Sequence, residues 1–326
     1  VAKTILEVLN LKQHYALRGG LFTKTQYVYA VDGVSFAVKA GETLGLVGES
    51  GCGKSSLGRS LLKLHEPTSG QIIYRGQDIT HFTQKQMVSL RKEMQIIFQD
   101  PMESLNSRHT VGSILEEPFE IHNIGTKQER KQKVRDLLVK VGLPESAESR
   151  YPHEFSGGQR QRIGIARAIA LNPKLIICDE AVSALDVSVQ SQIINLLLEL
   201  QKTMNLALVF IAHDLSVVRH ISDNIAVMYL GKVVEMSDTQ SLFANPQHPY
   251  TRALISAIPL PDPKLRGKRE LLKGDVPSPI SPPEGCHFAS RCRFSTPECL
   301  EHYPDLKVRS SNHSVACHLE VERIAV

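Results

Sequence analysis

The sequence predicts an α/β fold with buried parallel strands, and three stretches predict it. Residues 44–56, Leu-Gly-Leu-Val-Gly-Glu-Ser-Gly-Cys-Gly-Lys-Ser-Ser, pass from a short apolar strand through a glycine-rich loop into a helix. Residues 175–180, Leu-Ile-Ile-Cys-Asp-Glu, are four apolar residues closed by two carboxylates, as in a strand buried on both faces that delivers acids to its carboxyl end. Residues 206–211 form a second such run and lead into Ala212-His213-Asp214.

At 326 residues the chain has room for one large domain with an appendage, or for two domains. Its 42% hydrophobic and 22% charged residues are those of an ordinary soluble globular protein, and no apolar stretch approaches the roughly 18 residues of a membrane span. No signal-peptide pattern opens the sequence, so a cytoplasmic location is expected. A formal charge of +4 is mild, and the stretch Lys127 to Lys140 mixes both signs, so no nucleic-acid partner is expected.

The first strand-like runs are Leu6–Leu11 and Val34–Val38. Between them lie Tyr15 and Tyr27, either of which can stack on a nucleotide base, although surface or core packing is the commoner fate of a tyrosine. Gly48, Gly53, Lys54 and Ser55 then fit G-x-x-x-x-G-K-[ST], with a strand before and a helix after. Along Gly48, Glu49, Ser50, Gly51, Cys52, Gly53, Lys54, Ser55 and Ser56, backbone N–H groups can converge on phosphate oxygens. Lys54 would reach the β- and γ-phosphates and Ser55 would ligate Mg²⁺. Leu57, Leu61 and Leu64 recur at helical spacing, which puts the anion at the N-terminus of an amphipathic helix.

Residues 70–98 alternate turns with short strands and end in Met94-Gln-Ile-Ile-Phe98. Gln99 follows, an amide suited to a Mg²⁺-bound or attacking water, or simply to opening the turn before Pro101. Residues 106–172 read as mostly helical, with one helix from about Thr126 to Val141 ended by Gly142 and Pro144. A second anion site stands at Ser156, Gly157, Gly158 and Gln159, where a serine N-cap and two glycines meet the positive end of a helix. Asp179 is suited to hold Mg²⁺ through water, and Glu180 to orient and partly deprotonate the attacking water. After Ser183-Ala-Leu-Asp186 come a helix over Val189–Leu200 and the strand 206–211. At its end His213 is either a γ-phosphate contact or an ordinary cap or core residue.

In this order Gly48–Ser55, Gln99, Ser156–Gln159, Leu175–Glu180 and His213 closely resemble the ATP-binding cassette ATPases, over roughly residues 1–240. The resemblance implies a P-loop NTPase core with an antiparallel β-subdomain and a helical subdomain at about 106–172, with ATP and Mg²⁺ as ligands. It implies Gln99 as the Q-loop residue, Asp186 as the D-loop aspartate and His213 as the switch histidine. Ser156–Gln159 looks like the signature motif, which in that family completes the site of the opposite subunit. One departure is Ala181, where the family usually carries proline; this affects loop stiffness and removes no catalytic side chain.

Residues 241–326 hold eleven of the seventeen prolines and four of the six cysteines, and so read as a separate, loop-rich extension. Asn245–Leu254, Pro277–Cys286 and Asp179–Gln190 resemble the ATPases of dipeptide and oligopeptide importers, nearest the F-type subunit of dipeptide importers. That resemblance implies ATP hydrolysis powering peptide import at the cytoplasmic face of the bacterial inner membrane. It implies as partners a second, paralogous ATPase subunit, two permease subunits and, indirectly, a periplasmic or surface substrate-binding protein. A haem or nickel-chelate cargo, or a non-transport cassette ATPase, is the alternative.

Cys286, Cys292, Cys299 and Cys317 form C-x5-C-x6-C-x17-C. The spacing is wide for structural zinc and favours an iron–sulfur cluster over Zn²⁺ or unligated thiols. Some members that resemble this chain are described with such a cluster, and a [4Fe-4S] cluster is expected here. Cys52 and Cys178 are expected to be small core or loop residues.

Overall fold

The computed structural model describes residues 3–17, 25–100, 104–258, 272, 274–310 and 312–319. The chain divides into two compact units, one of Val1–Ile5, Lys39–Glu42 and Phe82–Ile211, the other of Leu6–Val38, Thr43–His81 and Ala212–Val326. The units cut across sequence order, and the C-terminal extension falls in the unit that carries the phosphate loop.

That unit opens with β1 (Thr4–Leu17), β2 (Gln26–Lys39), β3 (Thr43–Val47), β4 (Ser69–Tyr74) and β5 (Gln77–Asp78). Four of them form a sheet in the order β2-β1-β4-β5, with β1 antiparallel to β4 and β4 antiparallel to β5. Val34, Phe36 and Val38 face the core while Ser35, Ala37 and Lys39 are exposed, the period-two alternation of a half-buried strand. β1 runs well past the expected Leu6–Leu11 because pairing carries polar residues into it. The Lys12 carbonyl accepts the Thr68 N–H at 2.8 Å, and the His14 N–H donates to Thr68 Oγ1 at 2.9 Å. Asn10, at φ +47°, lies within the register shift between Leu9 and Lys12. β3 is buried at all five positions and feeds the helix Lys54–Leu61 through the glycine loop.

In the other unit β6 (Met94–Ile97), β7 (Leu175–Asp179) and β8 (Ala207–Ala212) are parallel, with β7 in the middle. Every residue of β7 and β8 is buried, which explains their unbroken apolar runs. Between β6 and β7 lie the helices Val111–Ile121, Lys127–Lys140 and Gly157–Ile169. The second starts at a capping box, Thr126 N–H to Glu129 at 2.6 Å and Glu129 N–H to Thr126 Oγ1 at 3.3 Å, and ends before Gly142 at φ +73°, as its sequence predicts. The helix Gln84–Leu90 was not expected; its signal is the box Thr83-x-x-Gln86. The helix after Asp186 runs Val187–Met204 rather than Val189–Leu200, lengthened by polar residues and stopped by Asn205 at φ +53°.

The phosphate-loop unit continues with β9 (Asn224–Tyr229), β10 (Lys232–Asp238), β11 (Lys307–Ser310) and β12 (His313–Val315). β3 is parallel to β9, and β9, β10, β12 and β11 follow one another antiparallel. The extension is thus built into the same strands as the phosphate loop. Glu235 fastens it: this fully buried carboxylate accepts the N–H groups of Gln247 at 2.7 Å and His248 at 2.9 Å and pairs with His313 Nε2 at 2.7 Å. A buried carboxylate is tolerated only when its oxygens are satisfied in this way. No helix among the described residues is long and apolar enough to cross a membrane.

Candidate functional site

The loop after β3 is shaped for an anion. Gly53 holds φ +104°, and a Cβ there would lie 1.8 Å from the Ala30 carbonyl oxygen, so only glycine fits. The helix that follows has no side chain capping its start and no acidic residue in its first turn. Its N-terminal N–H groups and dipole therefore favour a phosphate. Lys54, only 3% exposed, donates from Nζ to the carbonyls of Gly48 at 2.8 Å and Glu49 at 3.0 Å, which folds its ammonium back over the loop. Cys52 is buried 3.7 Å from that nitrogen, and Cys178 is buried within β7, both as expected. Gly53→Ala is expected to cost roughly 2–5 kcal/mol, summing left-handed strain and overpacking, read as a lower urea midpoint.

Tyr15 is half-buried with its ring edge-on to His65 at 5.8 Å, and Tyr27 is 45% exposed. His213 is exposed at the end of β8, and the capping of the next helix falls to Asp214, whose Oδ1 accepts the Ser216 N–H at 2.8 Å.

In the other unit, Asp179 closes β7 at 2% exposure and Glu180 follows at φ +48°. A non-glycine residue there stores about 1–2 kcal/mol of strain. Three hydrogen bonds hold it: its N–H donates to the Ile211 carbonyl at 3.1 Å, and its own carbonyl accepts the Ser183 N–H at 3.1 Å and Ser183 Oγ at 2.9 Å. Gln99 Nε2 donates to Glu180 Oε2 at 2.9 Å, which joins two residues that sequence reasoning treated separately.

Ser156 and Gln159 form a reciprocal capping box at 3.1 and 3.4 Å, and Ser156, Gly157 and Gln159 are exposed. The two glycines differ. A Cβ on Gly158 would lie 2.4 Å from Val189 Cγ1, so packing against the next helix accounts for it, whereas Gly157 has no contact closer than 3.5 Å. Asp186 precedes the helix Val187–Met204, exposed, with no side-chain capping bond.

Residues 31–183 match the ABC transporter family, and residues 234–299 match the family described as oligopeptide/dipeptide transporter, C-terminal region. The chain is 56% identical to the oligopeptide transport ATP-binding protein AppF of Bacillus subtilis, over 97% of this chain and 98% of that one. It is 50% identical to the dipeptide transport ATP-binding protein DppF of Haemophilus influenzae, over 96% of each. It belongs to the ABC transporter ATPases. Among solved structures, the dimeric ABC transporter cassette MJ0796 superposes with a TM-score of 0.64 at 26% identity, covering 72% of this chain and 99% of that one. The cassette CbiO1 of Clostridium perfringens gives 0.63 at 29% identity, covering 74% and 91%.

Beyond the cassette strands, this ATPase carries its four C-terminal cysteines as free thiols, like Cys52 and Cys178. Among the described residues no group of three or more His, Cys, Asp or Glu side chains is gathered closely enough to hold a metal ion. The four thiols are nonetheless within electrostatic reach of one another. Burial first, then the neighbouring thiols, pushes Cys286 up to about 12 and Cys292 up to about 11, and burial raises Cys317. The Cys286 N–H donates to the Cys299 carbonyl at 2.7 Å, which fixes two of the four segments together. Of the four, Cys299 is buried and Cys286, Cys292 and Cys317 are half-buried.

Proposed function

We propose that this ATPase is the energy-coupling subunit of a bacterial importer of oligopeptides or dipeptides. One observation carries the reading: a single chain joins the residue types proposed for hydrolysis, Lys54, Gln99, Asp179, Glu180 and His213, to the C-terminal region matched at residues 234–299. The relatives compared are named as transport ATP-binding proteins, which favours transport over repair or translation. We divide the chain into a cassette at 1–240, with its helical subdomain at about 106–172, and an extension at 241–326.

In this reading Lys54 and the N–H groups of Gly48–Ser56 other than that of Glu49, which donates to Tyr250, take the β- and γ-phosphates, and Ser55, Asp179 and Gln99 serve Mg²⁺ directly or through water. Glu180 orients the attacking water and accepts its proton, and His213 contacts the γ-phosphate. Tyr15 or Tyr27 stacks on the adenine. The exposed helix start at Ser156–Gln159 completes the site of a paralogous ATPase subunit, with Asp186 at the same interface. ATP binds the closed pair better than the open one, and that difference in affinity drives two permease subunits at the cytoplasmic face of the inner membrane. Cys286, Cys292, Cys299 and Cys317 would hold an iron–sulfur cluster, with Zn²⁺ as the alternative; such a centre supplies thiolate bonds that tie loop-rich segments together.

The test is affinity purification of the tagged chain from detergent-solubilised native membranes. The expected result is recovery of a second ATPase and two integral membrane proteins, with phosphate release stimulated by peptide and a peptide-binding protein. Recovery only in the membrane-free fraction, with no membrane partner, would sink the reading.

A further inference from the structure

The C-terminal extension reaches into the phosphate loop at Glu49. Arg291, at the end of the 3₁₀ turn Ala289–Arg291, donates Nη1 to Glu49 Oε2 at 2.7 Å and Nη2 to Oε1 at 3.1 Å. This is the bidentate fork, the strongest form of a carboxylate pair. It is shielded as well, since the side chains are 8% and 28% exposed, and the pairing holds the guanidinium above its ordinary range. The Glu49 backbone N–H donates to the hydroxyl of Tyr250 at 2.9 Å, from the His248-Pro249-Tyr250 start of the helix Pro249–Ser256. Tyr250 is fully buried, and burial raises its phenol, so it stays a neutral hydroxyl.

The anchor behind these contacts is a ring cluster. Tyr229 meets Tyr250 at 4.8 Å and Phe288 at 5.3 Å, Tyr250 meets Phe288 at 5.4 Å, and the Tyr229 hydroxyl accepts Arg291 Nη1 at 3.4 Å. Tyr229 ends β9, the strand parallel to β3, so the cluster stands on the strands that carry the loop.

Each contact answers a problem set by Glu49. A carboxylate inside a loop that binds a polyanion repels its ligand unless a cation neutralises it. A backbone N–H aimed at Tyr250 is withdrawn from the set that can face phosphate. The Glu49 carbonyl in turn accepts Lys54 Nζ at 3.0 Å, so the setting of Glu49 also sets the lysine.

We propose that Arg291 and Tyr250 are positioning residues for ATP binding: they neutralise Glu49 and hold it out of the phosphate cradle, making the peptide-transport extension a working part of this chain's nucleotide site. The inference rests on the reading of Gly48–Ser55 as that site.

The test is titration of the purified full-length chain with ATP and Mg²⁺, with steady-state hydrolysis and thermal midpoints measured alongside. Arg291→Ala should raise the Kd for ATP about tenfold and Tyr250→Phe about threefold, while kcat at saturating ATP falls less than twofold. Arg291→Lys should recover part of the loss, because it keeps the charge without the fork. Adding Glu49→Ala to Arg291→Ala should bring Kd back towards wild type, because the repelling carboxylate is gone. If Arg291→Ala does not fold, Tyr250→Phe and Arg291→Lys decide the matter through the same constants. Unchanged Kd in the folded variants, or a loss confined to kcat, overturns the proposal. A wild-type chain that binds no ATP overturns the reading of the loop and the proposal with it.

Discussion

Glu180→Gln is expected to bind ATP with near wild-type affinity and to hydrolyse it about 10²–10⁴-fold more slowly, the range removed with a general base. The substitution keeps the size of the side chain and leaves intact the backbone bonds from Ile211 and Ser183 that hold this residue at φ +48°. The new amide can still accept the Gln99 Nε2 hydrogen bond through its oxygen, so the local arrangement survives. What disappears is the negative charge and the proton-accepting oxygen. ATP should therefore accumulate unhydrolysed in a closed ATPase pair, seen as a stable complex in size-exclusion chromatography beside a low rate of phosphate release. Near-normal turnover would remove Glu180 from the base role.

Under the proposed cluster reading, replacing Cys286, Cys292, Cys299 and Cys317 together by serine is expected to remove the visible absorption and the iron and sulfide of anaerobically purified protein, and to lower its thermal midpoint. Metal–thiolate centres contribute on the order of 10 kcal/mol where they organise a small fold. Among the described residues after 280, the buried apolar side chains beside Cys299 are Phe288, Ala289, Val315, Ala316 and Leu319, and the pairing of β12 with β10 and the Glu235–His313 contact are the other ties. Because Arg291 directly precedes Cys292, the substituted chain should also bind ATP more weakly. Wild-type protein containing neither iron nor sulfide would overturn the cluster, and zinc found in its place would establish the alternative. A serine variant with an unchanged thermal midpoint would show that the extension needs no metal at all.

The parts of this protein that could be read in advance are those in which one short segment supplies both backbone shape and chemistry. Gly53, Lys54 and Ser55 lie within three positions, and the acids that end β7 follow directly from its apolar run. Helix ends were legible where capping residues were local, as at Thr126 and Gly142, whereas the Thr83–Gln86 box was overlooked. Strand lengths were less so, because Lys12 and His14 are held in β1 by partners around Thr68 rather than by any apolar signal of their own. The sequence presents Gly157 and Gly158 as a single feature, yet Gly158 is small because Val189 of the following helix approaches it.

The phosphate loop itself shows the division most clearly. By itself the sequence determined the cradle, since glycine conformation, a helix N-terminus and a lysine are properties of neighbouring residues. It also determined, through its ordered motifs, that this cradle belongs to an ABC ATPase. Only the tertiary structure decided that Glu49 within the loop is gripped by Tyr250 and Arg291, which lie 201 and 242 positions away. No periodicity or spacing marks such a contact, because a hydrogen bond between distant segments exists only after packing has brought them together.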